Sequence, residues 1–244
     1  MSKRKIQFTN GEIYHIVIKA IEGFNLFRDK KDYLRMIHDL FEFNNVNSVP
    51  SNFRVVCYRQ KISITPQDLI GLVESTEKQR RKRKLLVEIL AFCLMPDHIH
   101  LLVRQLRSGG ISKFMKKFGG YALYYNQKYK RKGHLFRDKF QAVHIKNDEQ
   151  LKTVFVYIHT NPVALIYPNW KEKGIKNVNR AIKYIENYRW SSYQDYLGIK
   201  NFPSLTGREF LLKVMAGAKG CREFVNAWLK FKKEIADFDY VAIE

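Results

Sequence analysis

The sequence predicts an α+β fold: one antiparallel sheet with helices on one face, followed by a C-terminal helical extension. Three observations lead there. Runs rich in β-branched and aromatic residues recur at 13–20, 85–95, 98–105 and 140–146. Stretches with apolar residues at helical spacing separate the first run from the second and the third from the fourth. Beyond residue 200, 209–215 and 222–235 read as two amphipathic helices with no strand between them. The order strand, helix, strand, strand, helix, strand, helix is that of the ferredoxin-like arrangement.

Each element has a local reason. Ile13-Tyr14-His15-Ile16-Val17-Ile18 has the residue types that fit a pleated surface, and Gly23 supplies the turn after it. Residues 29–44 place Tyr33, Leu34, Ile37, Leu40 and Phe41 on one helical face, opened by an acidic residue and stopped by Asn44-Asn45. His15 and His38 fall within these elements and read as structural histidines. Residues 45–84 read as an insertion between core elements, with a short strand at 53–59, a short helix at 66–74 and a basic run at 78–84. That run suits either a solvated loop or a phosphate contact. Residues 85–95 are apolar enough for a central strand, Pro96-Asp97 turns the chain, and 98–105 returns. A long helix follows at 111–129, weakened by Gly119-Gly120 at roughly 1 kcal/mol per glycine relative to alanine. A last strand at 140–146 leads into a helix that starts at Asn147-Asp148-Glu149, runs through Tyr157 and ends close to Pro162. The domain reading is a catalytic unit over 1–198 and the helical extension over 199–244.

Charge sets the class of partner. The chain has 44 Lys+Arg against 23 Asp+Glu, a formal +21 over 244 residues, and such a field favours a polyanion through phosphate contacts and counterion release. With 45% hydrophobic and 14% aromatic residues the chain has material for a core, which excludes wholesale disorder. No stretch approaches the ~20 apolar residues of a membrane span. The start of the chain lacks the apolar core of a signal peptide. Cys57, Cys93 and Cys221 are odd in number, lack C-x-x-C spacing and suit a reducing compartment. The expected location is cytoplasmic, nucleoid-associated, with no membrane partner.

The chemistry concentrates in Met95-Pro96-Asp97-His98-Ile99-His100-Leu101-Leu102-Val103. On a strand, His98 and His100 share one face, and two adjacent imidazoles can hold a divalent ion. In Tyr157-Ile158-His159-Thr160-Asn161-Pro162, Tyr157 and Asn161 are four apart and share a helical face, while Leu151, Val154, Phe155 and Ile158 form the stripe that docks it. Beside the histidines, this face offers an amide oxygen as a third ligand and a phenol as a nucleophile. His159 lies round the helix and reads as a local hydrogen-bonding residue. Tyr121, Tyr124 and Tyr125 are rival phenols whose spacing beside Phe118 reads as packing.

The histidine stretch resembles the HUH signature of single-tyrosine transposases of the insertion-sequence 200 type. Gly133-His134-Leu135-Phe136-Arg137-Asp138-Lys139-Phe140, Tyr157-Ile158-His159-Thr160-Asn161-Pro162-Val163 and Trp190-Ser191-Ser192-Tyr193 resemble, in that order, later signatures of the REP-associated tyrosine transposases. The resemblance covers roughly residues 8 to 198. It implies that His98 and His100 bind a divalent metal, Mg²⁺ or Mn²⁺, with Asn161 standing where related enzymes carry a glutamine ligand. It implies that Tyr157 cleaves single-stranded DNA beside a short hairpin (REP-like or insertion-sequence ends), leaving a 5′-phosphotyrosine and a free 3′-OH for rejoining. Lys113, Lys116, Lys117, Lys128, Lys130 and Arg131 are the candidate backbone contacts. Related enzymes act as monomers or as homodimers.

Three other readings compete. A histidine-triad nucleotide hydrolase requires a third histidine where Leu102 stands. An RNA-binding module accounts for the charge but not for the histidine pair. A domesticated, non-catalytic hairpin-binding protein is the main alternative, and retention of His98, His100 and Tyr157 speaks against it.

Overall fold

The computed structural model describes residues 6–47, 83–137 and 139–231. The strand expected at 53–59, the helix at 66–74, most of the basic run at 78–84 and Asp138 lie outside the described residues. Strands β1 (Ile13–Lys19), β2 (Val87–Leu94), β3 (His98–Gln105) and β4 (Gln141–Ile145) form a single sheet in the order β2-β3-β1-β4, every pair antiparallel. Helix α1 (Lys30–Phe43) joins β1 to β2, and α2 (Gly110–Lys116) with α3 (Gly119–Lys128) joins β3 to β4. This is the ferredoxin-like order read from the sequence.

The ends of α1 show how sequence sets the frame. The Asp29 side chain accepts the Asp32 amide at 3.1 Å, and the Asp32 side chain accepts the Asp29 amide in return, closing a capping box. At the other end, Asn44 donates its amide nitrogen to the Val87 carbonyl at 2.8 Å and accepts the Val87 amide at 2.9 Å, tying the helix to β2. The helix expected at 111–129 is instead two helices. At the break the Lys117 and Phe118 amides close three-residue turns onto Phe114 and Met115, a tighter geometry that lets the chain bend before Gly119. Gly120 then brings α3 onto α1, because a Cβ there would stand 3.2 Å from the Phe43 ring.

Helices α1 to α3 cover one face of the sheet, over Tyr14, Ile16, Ile18, Ile99, Leu101 and Val103, as expected from the sequence. The structure adds a second layer on the opposite face. It comprises α4 (Asp148–Thr160), a 3₁₀ turn (Asn161–Leu165) and α5 (Trp170–Lys173), then α6 (Val178–Glu186), α7 (Tyr193–Tyr196), α8 (Glu209–Val214) and α9 (Gly217–Phe231). Leu211, Met215, Cys221, Val225 and Trp228 share a buried cluster with Val154 and Phe155 of α4. The boundary expected at 198/199 therefore does not separate two cores. The C-terminal helices complete the layer that carries α4.

The outer edge of β2 is capped by the connector that follows α6. The Leu94 amide bonds to the Trp190 carbonyl at 2.8 Å, and Ser192 and Gly207 donate to Phe92 and Ile89. Such cover removes an edge open to unwanted pairing. A bulge at Leu90 turns Leu90 and Ala91 toward the same layer, and the Tyr196 hydroxyl donates to the Leu90 carbonyl at 2.5 Å. Ser192 fastens α4 to the same edge: its Oγ accepts the Phe92 amide at 3.0 Å and pairs with His159 Nε2 at 2.8 Å. Burial holds His159 neutral, pushing its pKa down to about 3. His159, expected to bond locally, instead takes its side-chain partner from thirty-three positions downstream. Ser192→Ala leaves two buried polar groups short of a partner, so urea unfolding should show a stability loss of about 1–3 kcal/mol.

Candidate active site

The sheet register assembles the site. Across β1 and β3, Val17 faces His100 and Lys19 faces His98, so His15, two residues before Val17, lies diagonal to His100 on the same face. The His98 and His100 rings meet edge to face, with centroids 4.8 Å apart. Above them α4 presents Tyr157, whose ring centroid is 5.5 Å from that of His100 and 5.9 Å from that of His15. Asn147 caps the start of α4 by accepting the Gln150 amide, and Asp148 and Glu149 suit the positive end of its dipole. Nine of its thirteen residues are buried, Tyr157 among them. The histidine pair and the tyrosine, separated in sequence by more than fifty residues, do converge.

Each histidine is oriented by a partner. His98 Nδ1 pairs with the Asp97 carboxylate at 2.8 Å, which fixes the orientation of the ring. His100 Nδ1 lies 3.0 Å from His15 Nε2 in a buried contact, and His100 Nε2 is buried with no hydrogen-bond partner. A tautomer with His100 Nδ1–H donated to His15 would leave the His100 Nε2 lone pair to coordinate. Burial, assisted by the positive charges of Lys171 and Lys19, holds His100 well below the ordinary histidine range. His15 is pushed down to about 3, also by burial. Both rings are therefore neutral at physiological pH, the form that binds metal. An orphaned buried imidazole nitrogen beside a carboxylate-oriented histidine fits a divalent ion. Among the described residues no cluster of three His, Cys, Asp or Glu side chains has metal-holding geometry. Asn161, buried at the C-cap of α4, provides an amide. Its nitrogen lies 3.4 Å from the Tyr157 carbonyl, and its side chain also reaches the Tyr157 phenol.

His15, read from the sequence as structural, supports the site by pairing its Nε2 with His100 Nδ1. Its signal was its parity with His98 and His100 on one sheet face, which becomes visible only once the register is known. Replacing it with leucine removes that partner while filling the space. The expected outcome is divalent-ion affinity lowered about 10- to 100-fold, by calorimetric Mn²⁺ titration, with unchanged circular dichroism.

The basic residues divide. Lys113, Lys116 and Lys130 are exposed. Lys128 is committed to Asp29 and Asp32, at 2.8 and 2.6 Å, and this pairing raises its pKa against the opposing cost of burial. Lys117 bonds to the Asn45 carbonyl, and Arg131 lies over the Phe24 ring while donating to Asn126. These three have work inside the fold. All six sit on or just after α2 and α3, across the sheet from Tyr157. The rival phenols are also accounted for: Tyr121 and Tyr125 donate to the Leu26 and Asn25 carbonyls, and Tyr124 to Asp32. Of the remaining signatures, Phe136 bridges to Ala20, Trp190 stacks on Tyr33 with centroids 4.5 Å apart, and Ser192 anchors α4. These hold the site together rather than line it.

The four-stranded sheet thus brings His98 and His100 together beneath Tyr157 of α4. Residues 53–161, a span that contains His98, His100 and Tyr157, match the family described as "Transposase IS200 like". A similar solved structure is "Structure of the REP associates tyrosine transposase bound to a REP hairpin", 15% identical, covering 84% of this chain and 90% of that one, with a TM-score of 0.45. No protein of curated function matches the chain. Among the described residues no helix is long and apolar enough to cross a membrane.

Proposed function

We propose that the chain is a metal-dependent single-stranded DNA transposase that cuts and rejoins DNA beside short hairpins through a 5′-phosphotyrosine. The observation that carries this reading is the meeting of the buried, unpartnered His100 Nε2 with the Tyr157 ring on one face of the sheet. His98, His100 and Asn161 would hold the ion. A divalent ion held there supplies a Lewis acid that polarises a phosphate oxygen. Tyr157 is the nucleophile: its phenol oxygen bonds to phosphorus, the bond to the 3′ oxygen breaks, and the 3′-OH so formed reverses the step when strands are rejoined. Burial raises the Tyr157 pKa while the Asn161 contact works against it, so the resting phenol is protonated. Asp97 and His15 hold the imidazoles in orientation. The net charge of +21 draws in the DNA backbone, and Lys113, Lys116 and Lys130 are the exposed members of the candidate contact set.

The test is incubation of the chain with labelled single-stranded hairpins drawn from DNA beside its own gene, with Mn²⁺ or Mg²⁺. A covalent protein–DNA adduct, dependent on the ion, supports the reading. Tight hairpin binding with no adduct over a broad panel would instead make the chain a domesticated hairpin-binding protein.

A further inference from the structure

We infer that Lys171 is a further catalytic residue, which donates a hydrogen bond to the Tyr157 phenol oxygen and holds the negative charge that oxygen carries as nucleophile and as leaving group. The inference rests on the function proposed above. Lys171 Nζ lies 3.3 Å from the Tyr157 hydroxyl and 4.7 Å from the centre of its ring, so the ammonium sits at the phenol. The Tyr157 ring in turn stands 5.5 Å from that of His100, centroid to centroid.

The chain is built to deliver this lysine. Asn161-Pro162 stops α4, and a 3₁₀ turn follows. Asn169 then adopts a left-handed conformation, with φ near 60°, that asparagine tolerates better than most residues. Trp170 buries its side chain in the second layer, 3% exposed, and its amide bonds to the Tyr167 carbonyl. With Trp170 anchored, the next residue comes back over Tyr157, fourteen positions upstream.

The chemistry balances as follows. In cleavage the phenol gives its proton to water, the phenolate oxygen bonds to phosphorus, and the departing 3′ oxygen takes a proton from water. In rejoining, the 3′-OH loses its proton to water and attacks phosphorus, and Tyr157 leaves as the phenolate. Lys171 takes no part in these proton transfers and faces the oxygen that is anionic in both directions.

Rates of adduct formation are measured at saturating DNA, using the hairpin oligonucleotide that gives the unaltered chain its highest adduct yield. Lys171→Met should lower the rate about 10²-fold, the scale of losing one donor to a developing oxyanion, with hairpin affinity unchanged. Lys171→Arg should retain most of the rate. Placing 2,3-difluorotyrosine, an intrinsically more acidic phenol, at position 157 should recover much of the Lys171→Met loss. An unchanged rate in Lys171→Met, a loss of affinity alone, or no recovery with the fluorinated phenol would overturn the assignment and leave the transposase reading standing. Absence of any adduct from the unaltered chain overturns both.

Discussion

Tyr157→Phe should abolish covalent joining of the chain to hairpin DNA while the hairpin remains bound. The substitution removes one oxygen from a ring that is 7% exposed and held between α4, His15 and His100, so the site keeps its shape. Loss of a nucleophile acts on the scale of about 10⁴-fold or more in rate. The control is internal. Tyr121→Phe should leave the adduct intact, because the Tyr121 phenol is buried against the Leu26 carbonyl, and burial raises its pKa far from any useful range. Gel retardation and denaturing electrophoresis on the same samples separate binding from joining. An adduct that survives Tyr157→Phe would remove this tyrosine from the chemistry.

Removal of either histidine of the pair should be nearly as severe. His100→Ala deletes the one buried nitrogen of the pair that has no partner and leaves His15 Nε2 without its own. His98→Ala deletes the ring that Asp97 orients. Partners that merely orient a ligand are worth 10- to 100-fold in metal affinity, so loss of a ligand should exceed about 10²-fold. Adduct formation should fall with it, as it should on chelation of the ion. Imidazole nitrogen is a softer donor than Mg²⁺ prefers, so Mn²⁺ should restore activity at the lower concentration. Equal Mn²⁺ affinity in His100→Ala and the unaltered chain would rule out His100 as a ligand.

The sequence made the periodic elements legible because each is decided locally. Asp29 and Asn44, the residues expected to open and close the first helix, are its caps in the structure. His98 and His100 were readable for the same reason, since strand alternation alone puts them on one face. Residues whose meaning depends on distant partners were not. His15 needs His100, eighty-five positions away. Lys128 resembles a solvated phosphate contact until Asp29 and Asp32 arrive from α1, close to a hundred positions upstream. Lys171 sits on a four-residue helix too short to have a period. Helix α6 does carry a local pattern, in Val178, Ala181, Ile182 and Ile185 after an Asn177 cap. The C-terminal helices were legible as amphipathic, but not the direction of their apolar faces, which turn toward α4 rather than toward each other alone.

That shared cluster has a consequence for how the protein is made. A ribosome delivers α4 well before α9, whose Val225 and Trp228 cover the outer side of the helix that bears Tyr157. Until the chain has emerged to about residue 231, Val154 and Phe155 lack part of their cover and the tyrosine rides on an unfinished layer. A nascent or prematurely terminated chain, however basic, would therefore hold the histidines without a seated tyrosine. The layer that seats Tyr157 is complete only once α9 has left the ribosome.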